Sequence, residues 1–209
     1  MDALLRTKLL VPPLRLELVR RPHLSQQLDR IFDRKVALVS APAGFGKTTL
    51  VNAWVHEQTS PVTWLTLDEG DNDLARFLIY LEAALREVHP DIGETLTAHV
   101  QSLQNRQLHV ERLLTLLVNR LLELPEPIFL VLDDLHLIDA NAVYEALAFF
   151  IAHLPPAVHL LILTREDPPL PLARLRVRGD MIEVRAADLR FDHQESVGFF
   201  NDVMRRSEE

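Results

Sequence analysis

The chain has no cysteine among its 209 residues, which excludes disulfides, thiolate metal sites and cysteine nucleophiles. A cysteine-free chain fits a reducing compartment, so a cytoplasmic location is expected. Long hydrophobic runs are also missing, since no apolar stretch approaches the roughly 20 residues that a membrane-spanning helix needs. Asp2, Arg6 and Lys8 interrupt Met1 to Pro13, where a secretory leader keeps a continuous apolar segment, so neither export nor insertion is expected. Basic charge is in short supply: 22 Lys and Arg stand against 30 Asp and Glu, a formal net charge of -8. Gripping a nucleic-acid backbone requires a basic face, and no direct DNA contact is expected from this segment. Low-complexity tracts, repeats and flexible linkers are absent too. With 48% hydrophobic and 25% charged residues, the composition is that of an ordinary folded domain, and the length suits one domain.

What is present is an alternation. Five apolar, largely β-branched segments read as buried strands: Lys35 to Ser40, Val62 to Leu67, Ile128 to Asp133, Val158 to Thr164 and Ile182 to Arg185. Helical spacing of apolar residues marks Lys47 to Gln58, Ala75 to Val88, Leu108 to Leu124, Asn141 to His153 and His193 to Arg206. Alternating strands and helices imply an α/β fold, a parallel sheet with helices on both faces and a ligand site at the strands' carboxyl ends. Asp68 to Pro127 is too long for one crossover and should hold two or three helices, stopped by Pro125 and Pro127. Residues 1–34 read as a lead-in, extended over Thr7 to Arg21 and helical from Leu24 to Phe32; residues 35–209 read as the core.

The first strand runs into Ala41-Pro42-Ala43-Gly44-Phe45-Gly46-Lys47-Thr48-Thr49. Residues 41–48 match the phosphate-loop pattern GxxxxGK[ST] at every fixed position except the first, where alanine replaces glycine. A tight strand-to-helix turn of this kind aims backbone N–H groups and the positive end of a helix dipole at an anion. The candidate nucleotide-binding residues are therefore Ala43, Gly44, Phe45, Gly46, Lys47, Thr48 and Thr49. Lys47 suits the β- and γ-phosphates, and the Thr48 hydroxyl suits a Mg²⁺ ion. The plain alternative is a chance glycine turn.

A second element, Ile128 to Asp134, is an apolar strand that ends in two carboxylates, as a Walker B strand does. Asp133 is the candidate Mg²⁺ partner, through water, and Asp134 the candidate to orient or deprotonate an attacking water. Taken alone, such an ending is more often an ordinary strand exit; paired with the loop, the balance reverses. His136 reads as a loop or packing histidine. The fourth strand ends in Thr164-Arg165-Glu166-Asp167. Its tip lies beside the phosphates if that strand sits between the first and the Walker B strands. Arg165 then either meets the γ-phosphate or pairs on the surface with Glu166 or Asp167.

Together these stretches resemble a known family. TKLLVPP and LVRRPHL (Thr7 to Leu24), VSAPAGFGKTTL (Val39 to Leu50), WLTLDEGDNDLARFLIYL (Trp64 to Leu81), LVLDDLHLI (Leu130 to Ile138), LTREDPPLPLARLRVRG (Leu163 to Gly179) and EVRAADLRF (Glu183 to Phe191) are similar to those of MalT-like, LuxR-group ATP-dependent transcriptional regulators, in the STAND class of P-loop NTPases. The resemblance implies a three-layer sandwich with a five-stranded parallel sheet in the order 5-1-4-3-2. It also implies ATP or ADP with Mg²⁺ as ligands, slow hydrolysis that resets a switch, and self-association in the ATP state of the full-length protein. It puts adenine near Leu18 to Pro22, with Arg21 and Pro22 in the nucleotide set, and makes Arg165 a sensor arginine beside Lys47 and Asp134. Asp71, Asp73 and Arg76 either lie near the nucleotide and transmit its state or serve as helix caps with Arg76 exposed. A full member continues into lid, winged-helix, sensor and helix-turn-helix domains, whereas this chain stops at Glu209, as a fragment or a stand-alone core.

The competing reading is a P-loop kinase or other phosphotransferase in which Arg174, Arg176 and Arg178 form a lid over the transferred phosphoryl group. Their simpler role is a solvated connector between the fourth and fifth strands. A ring-forming ATPase motor would present an arginine to a neighbour's nucleotide, and no residue is identifiable as one.

Overall fold

The computed structural model describes residues 4–14, 21–92, 106–191 and 195. Its centre is a parallel sheet of β1 (Val36–Ser40), β2 (Val62–Thr66), β3 (Ile128–Asp133), β4 (Val158–Thr164) and β5 (Met181–Arg185), in the order β2-β3-β4-β1-β5. This is the expected order read from the opposite edge, and β3 and β4 have the expected bounds. β1, β3 and β4 are buried along their whole length, which is why these strands read as unbroken apolar runs rather than alternating ones.

Around the sheet stand α1 (Pro22–Asp29), α2 (Lys47–His56), α3 (Leu74–Val88), α4 (Arg106–Leu121), α5 (Asn141–Ala152), α6 (Leu172–Arg178) and the short α7 (Ala186–Leu189). Alternate strand residues divide the core in two. Val36, Leu38, Leu130, Leu132, Leu160 and Ile162 pack with α3, α4, α5 and α6; Ala37, Val39, Phe129, Val131, Leu161 and Leu163 pack with α1, α2 and α7. The period of two along each strand thus becomes a three-layer sandwich. Segment 68–127 holds α3 and α4, as expected, with 93–105 outside the described residues; the helix expected over His193 to Arg206 also falls outside them, apart from residue 195.

Some local features differ from expectation. α1 starts at Pro22, whose fixed φ and missing N–H suit a first helical position, and the chain continues as a tighter turn over Arg30–Asp33. The connector between β4 and β5 is a helix, α6. Leu172 and Leu175 bury one face of it, and Gly179, at φ 67°, closes its end.

The edge beside β2 carries a polar knot. Asp68 caps the turn Glu69–Asn72, accepting from Gly70 N while Asp71 accepts from Asp68 N. Lys8 from the lead-in, only 6% exposed, pairs with fully buried Asp71 and, at 3.0 Å, with Asp68. Arg76 reaches both carboxylates at 3.1–3.2 Å, and Asp73 caps α3 by accepting from Arg76 N. Lys8 also lies 4.3 Å from the centre of the Tyr80 ring. Removing the buried Asp71 carboxylate breaks the buried half of the knot and leaves the buried Lys8 ammonium with half-exposed Asp68 alone, and breaking a buried pair typically costs about 3–5 kcal/mol. Asp71→Ala is therefore expected to lower the melting temperature by roughly 6–20 °C, at about 2–4 °C per kcal/mol for a chain of this size. Calorimetric melting checks this, and a fall below about 2 °C would mean the knot contributes little.

Candidate nucleotide-phosphate site

Parallel pairing sets the site's location. Register puts Ser40 beside Thr164 and beside Arg185, and Thr66 beside Asp133, so the carboxyl ends of all five strands share one rim. Ala41 N donates to Thr164 O at 3.2 Å, stitching the loop after β1 to the tip of β4. The loop then turns back into α2 through two left-handed residues, Gly44 at φ 82° and Gly46 at φ 78°. A Cβ at either would meet nothing within 4 Å. Dihedral strain, not crowding, is what calls for glycine there.

Lys47 opens α2 and is buried. Its Nζ donates to Ala41 O at 2.8 Å and Pro42 O at 3.1 Å, so the ammonium sits under the loop. Burial lowers its pKa; Asp134 and Asp133 oppose the shift, and Arg165 adds to it. Thr48, one residue on, donates from Oγ1 to Asp133 Oδ2 at 3.1 Å and lies 3.3 Å from Oδ1. Phe45 packs its ring against the core on the α2 side, so what it offers the loop is backbone. Ala43 and Gly44 are exposed in the turn, and Thr49 is half-buried on α2.

Asp133 ends β3 at 3% exposure. Desolvation, then the neighbouring Asp134, push its carboxyl up to about 6, against hydrogen bonds from Thr48 and Asp134 N. Asp134 adopts a left-handed φ of 60°, rare for a residue with a side chain. Its N–H donates to Asp133 Oδ1 at 2.9 Å. Two oxygens, Thr48 Oγ1 and Asp133, thus meet at the loop's base. No cluster of three or more His, Asp or Glu able to hold a metal occurs among the described residues. A hard cation here would take its remaining ligands from phosphate oxygens and water, the habit of Mg²⁺.

β4 does lie between β1 and β3, and its tip delivers Arg165 close enough to Lys47 and His136 to act on both electrostatically. Among the described residues Arg165 forms no ion pair with Glu166 or Asp167; Asp167 binds Arg185 and lies 3.5 Å from Arg176. Arg176 also binds Glu183 at 2.8 Å, which fixes it on the surface. The structure brings Lys47, Thr48, Asp133, Asp134 and Arg165 together.

Arg21 and Pro22 stand apart from that group. The Arg21 guanidinium donates to the carbonyl oxygens of Leu189, Asp188 and Arg190 at 2.8–3.1 Å and to Glu195 at 2.9 and 3.0 Å. It joins the lead-in to the chain leaving β5, so anything it offers a nucleotide would come from its backbone. Leu18, Val19 and Arg20 lie outside the described residues. Asp71, Asp73 and Arg76 form the knot by β2, including the caps expected as their alternative. One residue escaped the sequence reading. Asn72 donates from Nδ2 to Leu137 O at 3.1 Å and accepts at Oδ1 from Asp139 N and Ala140 N at 2.8 and 2.9 Å, gripping the turn after Asp134. His136 lies in that turn, among the charged groups of the site.

The sequence profile of the AAA ATPase domain family matches residues 17–163. The chain belongs to that family. Over 190 residues, 90% of its length, this AAA domain is 38% identical to the HTH-type transcriptional regulator MalT of Cronobacter sakazakii, and to the same extent of the chain it is 37% identical to that of Yersinia enterocolitica. It spans 21% of each of those regulators. A Walker-type ATPase of Pyrococcus abyssi shares the fold at a TM-score of 0.53 and 19% identity, over 94% of this chain and 61% of that one. The AAA domain is thus a nucleotide-binding P-loop domain of MalT-like type, and the phosphotransferase reading is not favoured. No described helix is long and apolar enough to cross a membrane.

The raised Asp133 carboxyl has a sign that can be tested. A folded-state value of about 6 against 3.8 means the native state holds this proton more tightly than the unfolded one. The resulting penalty is absent below about pH 4, grows between pH 4 and 6, and is complete above, at roughly 3 kcal/mol. In nucleotide-free, metal-free buffer, Asp133→Asn is expected to be more stable than the parent at about pH 8, by up to ~3 kcal/mol, with the gap closing toward pH 4. Denaturant titrations of both proteins check it, and a gap independent of pH would contradict the desolvated carboxyl.

Proposed function

We propose that this AAA domain is the ATP switch of a cytoplasmic regulator similar to MalT. The observation that carries the reading is the Thr48–Asp133 hydrogen bond, which joins the phosphate loop to the Walker B strand where Lys47, Asp134 and Arg165 converge. In this reading residues 1–34 wall part of the nucleotide pocket, with adenine near Leu18 to Pro22, and residues 35–209 form the NTPase core. Backbone N–H groups of Ala43 to Thr49 surround the β-phosphate, and the Lys47 ammonium turns from the loop carbonyls to the phosphate oxygens. Thr48 and, through water, Asp133 fit a Mg²⁺ ion, which when bound would neutralise phosphate charge.

Hydrolysis, where it occurs, needs one water added at the γ-phosphorus while the bond to the β–γ bridging oxygen breaks, giving ADP and inorganic phosphate. Asp134 orients that water and accepts its proton, and Arg165 balances the charge on the γ-phosphate. Slow turnover suits a switch, and self-association in the ATP state follows from the likeness to MalT. With a net charge of -8, DNA contact is assigned to a helix-turn-helix outside this domain, in keeping with the name of the relatives.

Lys47→Ala is expected to reduce ATP and ADP affinity by at least about 100-fold with melting behaviour unchanged; unaltered affinity in titration calorimetry would sink the assignment. Asp134→Asn is expected to keep binding and slow phosphate release by roughly 10²–10⁴-fold. Retained turnover would show that another group positions the water.

A further inference from the structure

The turn after β3 is held on both sides. Leu135 and Ile138 are buried in the core, the Tyr144 hydroxyl donates to Ile138 O at 2.8 Å, and Asn72 binds Leu137, Asp139 and Ala140 as described. Between these anchors His136 has a side chain only 9% exposed. Both its ring nitrogens are buried and neither has a hydrogen-bond partner among the described residues. Its Nδ1 is 3.8 Å from Asp134 Oδ1, beyond hydrogen-bonding range. A buried polar group without a partner costs about 1–3 kcal/mol, so packing alone would favour leucine or methionine here. The charges that act on the ring are Arg165, Asp134, Lys47 and Glu166, three of which belong to the proposed phosphate site.

We infer that His136 donates a ring N–H to the terminal phosphate of a bound nucleoside triphosphate, and so contributes to telling triphosphate from diphosphate. The inference rests on the phosphate-site reading above. His136 joins Lys47 and Arg165 around the terminal phosphate but differs from them in kind. Burial and the nearby Arg165 and Lys47 cations lower its pKa against the pull of Asp134 and Glu166, which favours the neutral ring. It then has one donor nitrogen for the phosphate and one acceptor nitrogen for a water held between phosphate and Asp134. A diphosphate lacks the terminal phosphate and so offers the ring donor no such partner.

The test uses the full chain, Mg²⁺, ADP and a non-hydrolysable ATP analogue in titration calorimetry, with His136→Leu, His136→Asn and Lys47→Ala. His136→Leu is expected to bind the analogue about tenfold more weakly and ADP within about twofold of the parent. His136→Asn, which keeps an N–H donor, should recover part of the loss. The nucleotide-free Leu variant should melt no lower than the parent, because its side chain leaves no polar atom unpaired. Equal losses for both nucleotides, or no loss for either, overturn the inference. If the Leu variant does not fold, the Asn variant decides by the same split between the two ligands. Lys47→Ala separates the two levels. If it leaves both affinities intact, the phosphate-site reading fails; if it weakens both while His136 variants show no split, only the role of His136 fails.

Discussion

The parallel pairing of β1 with β4 on one side and β5 on the other is the constraint from which the site follows. With every strand running the same way, residues that end strands far apart in sequence arrive at one rim: Ser40, Asp133, Thr164 and Arg185. Neither the phosphate loop nor the two aspartates make a site alone. The sheet brings them within one hydrogen bond of each other, Thr48 to Asp133, and that bond depends on β4 separating β1 from β3. Burial on both faces then makes the arrangement stiff, because a slip of one residue in any ladder would move a strand's side chains to the wrong layer.

Electrostatics at the rim pull in opposite directions. Desolvation raises Asp133 and lowers Lys47, so each charge is less favourable there than in water. The carboxylates favour the lysine's charge and Arg165 disfavours it. A site in which both signs are partly dehydrated and incompletely paired is poised for a ligand that carries negative charge together with a cation. The knot of Lys8, Asp68, Asp71 and Arg76 is the contrast: there every charge has a partner, and the outcome is a fastened edge.

The strands and the glycine loop were legible because their signals are local: unbroken apolar runs, two glycines before lysine, carboxylates at a strand's end. The strand order came with the family likeness, which ladder hydrogen bonds could not have revealed in one dimension. What was illegible depends on long-range partners. Arg21 looks like any arginine until the carbonyls of Asp188, Leu189 and Arg190 and the carboxylate of Glu195 meet it. Asn72 is one polar residue in an acidic run, and its role exists only because the turn at 137–140 lies beside it. His136 read as a loop or packing histidine and does lie buried in a turn, but that both its nitrogens lack a partner among the described residues cannot be inferred from Leu-His-Leu. Helix α6 was hidden by its arginines, with two leucines three apart too short a pattern to announce a helix.

The loop between β1 and α2 keeps its shape through the left-handed turns at Gly44 and Gly46, around which open space remains. Its curvature rests on those torsion angles together with the Lys47 ammonium, which binds the carbonyls of Ala41 and Pro42. A Cβ at either glycine would strain the turn and alter its curvature.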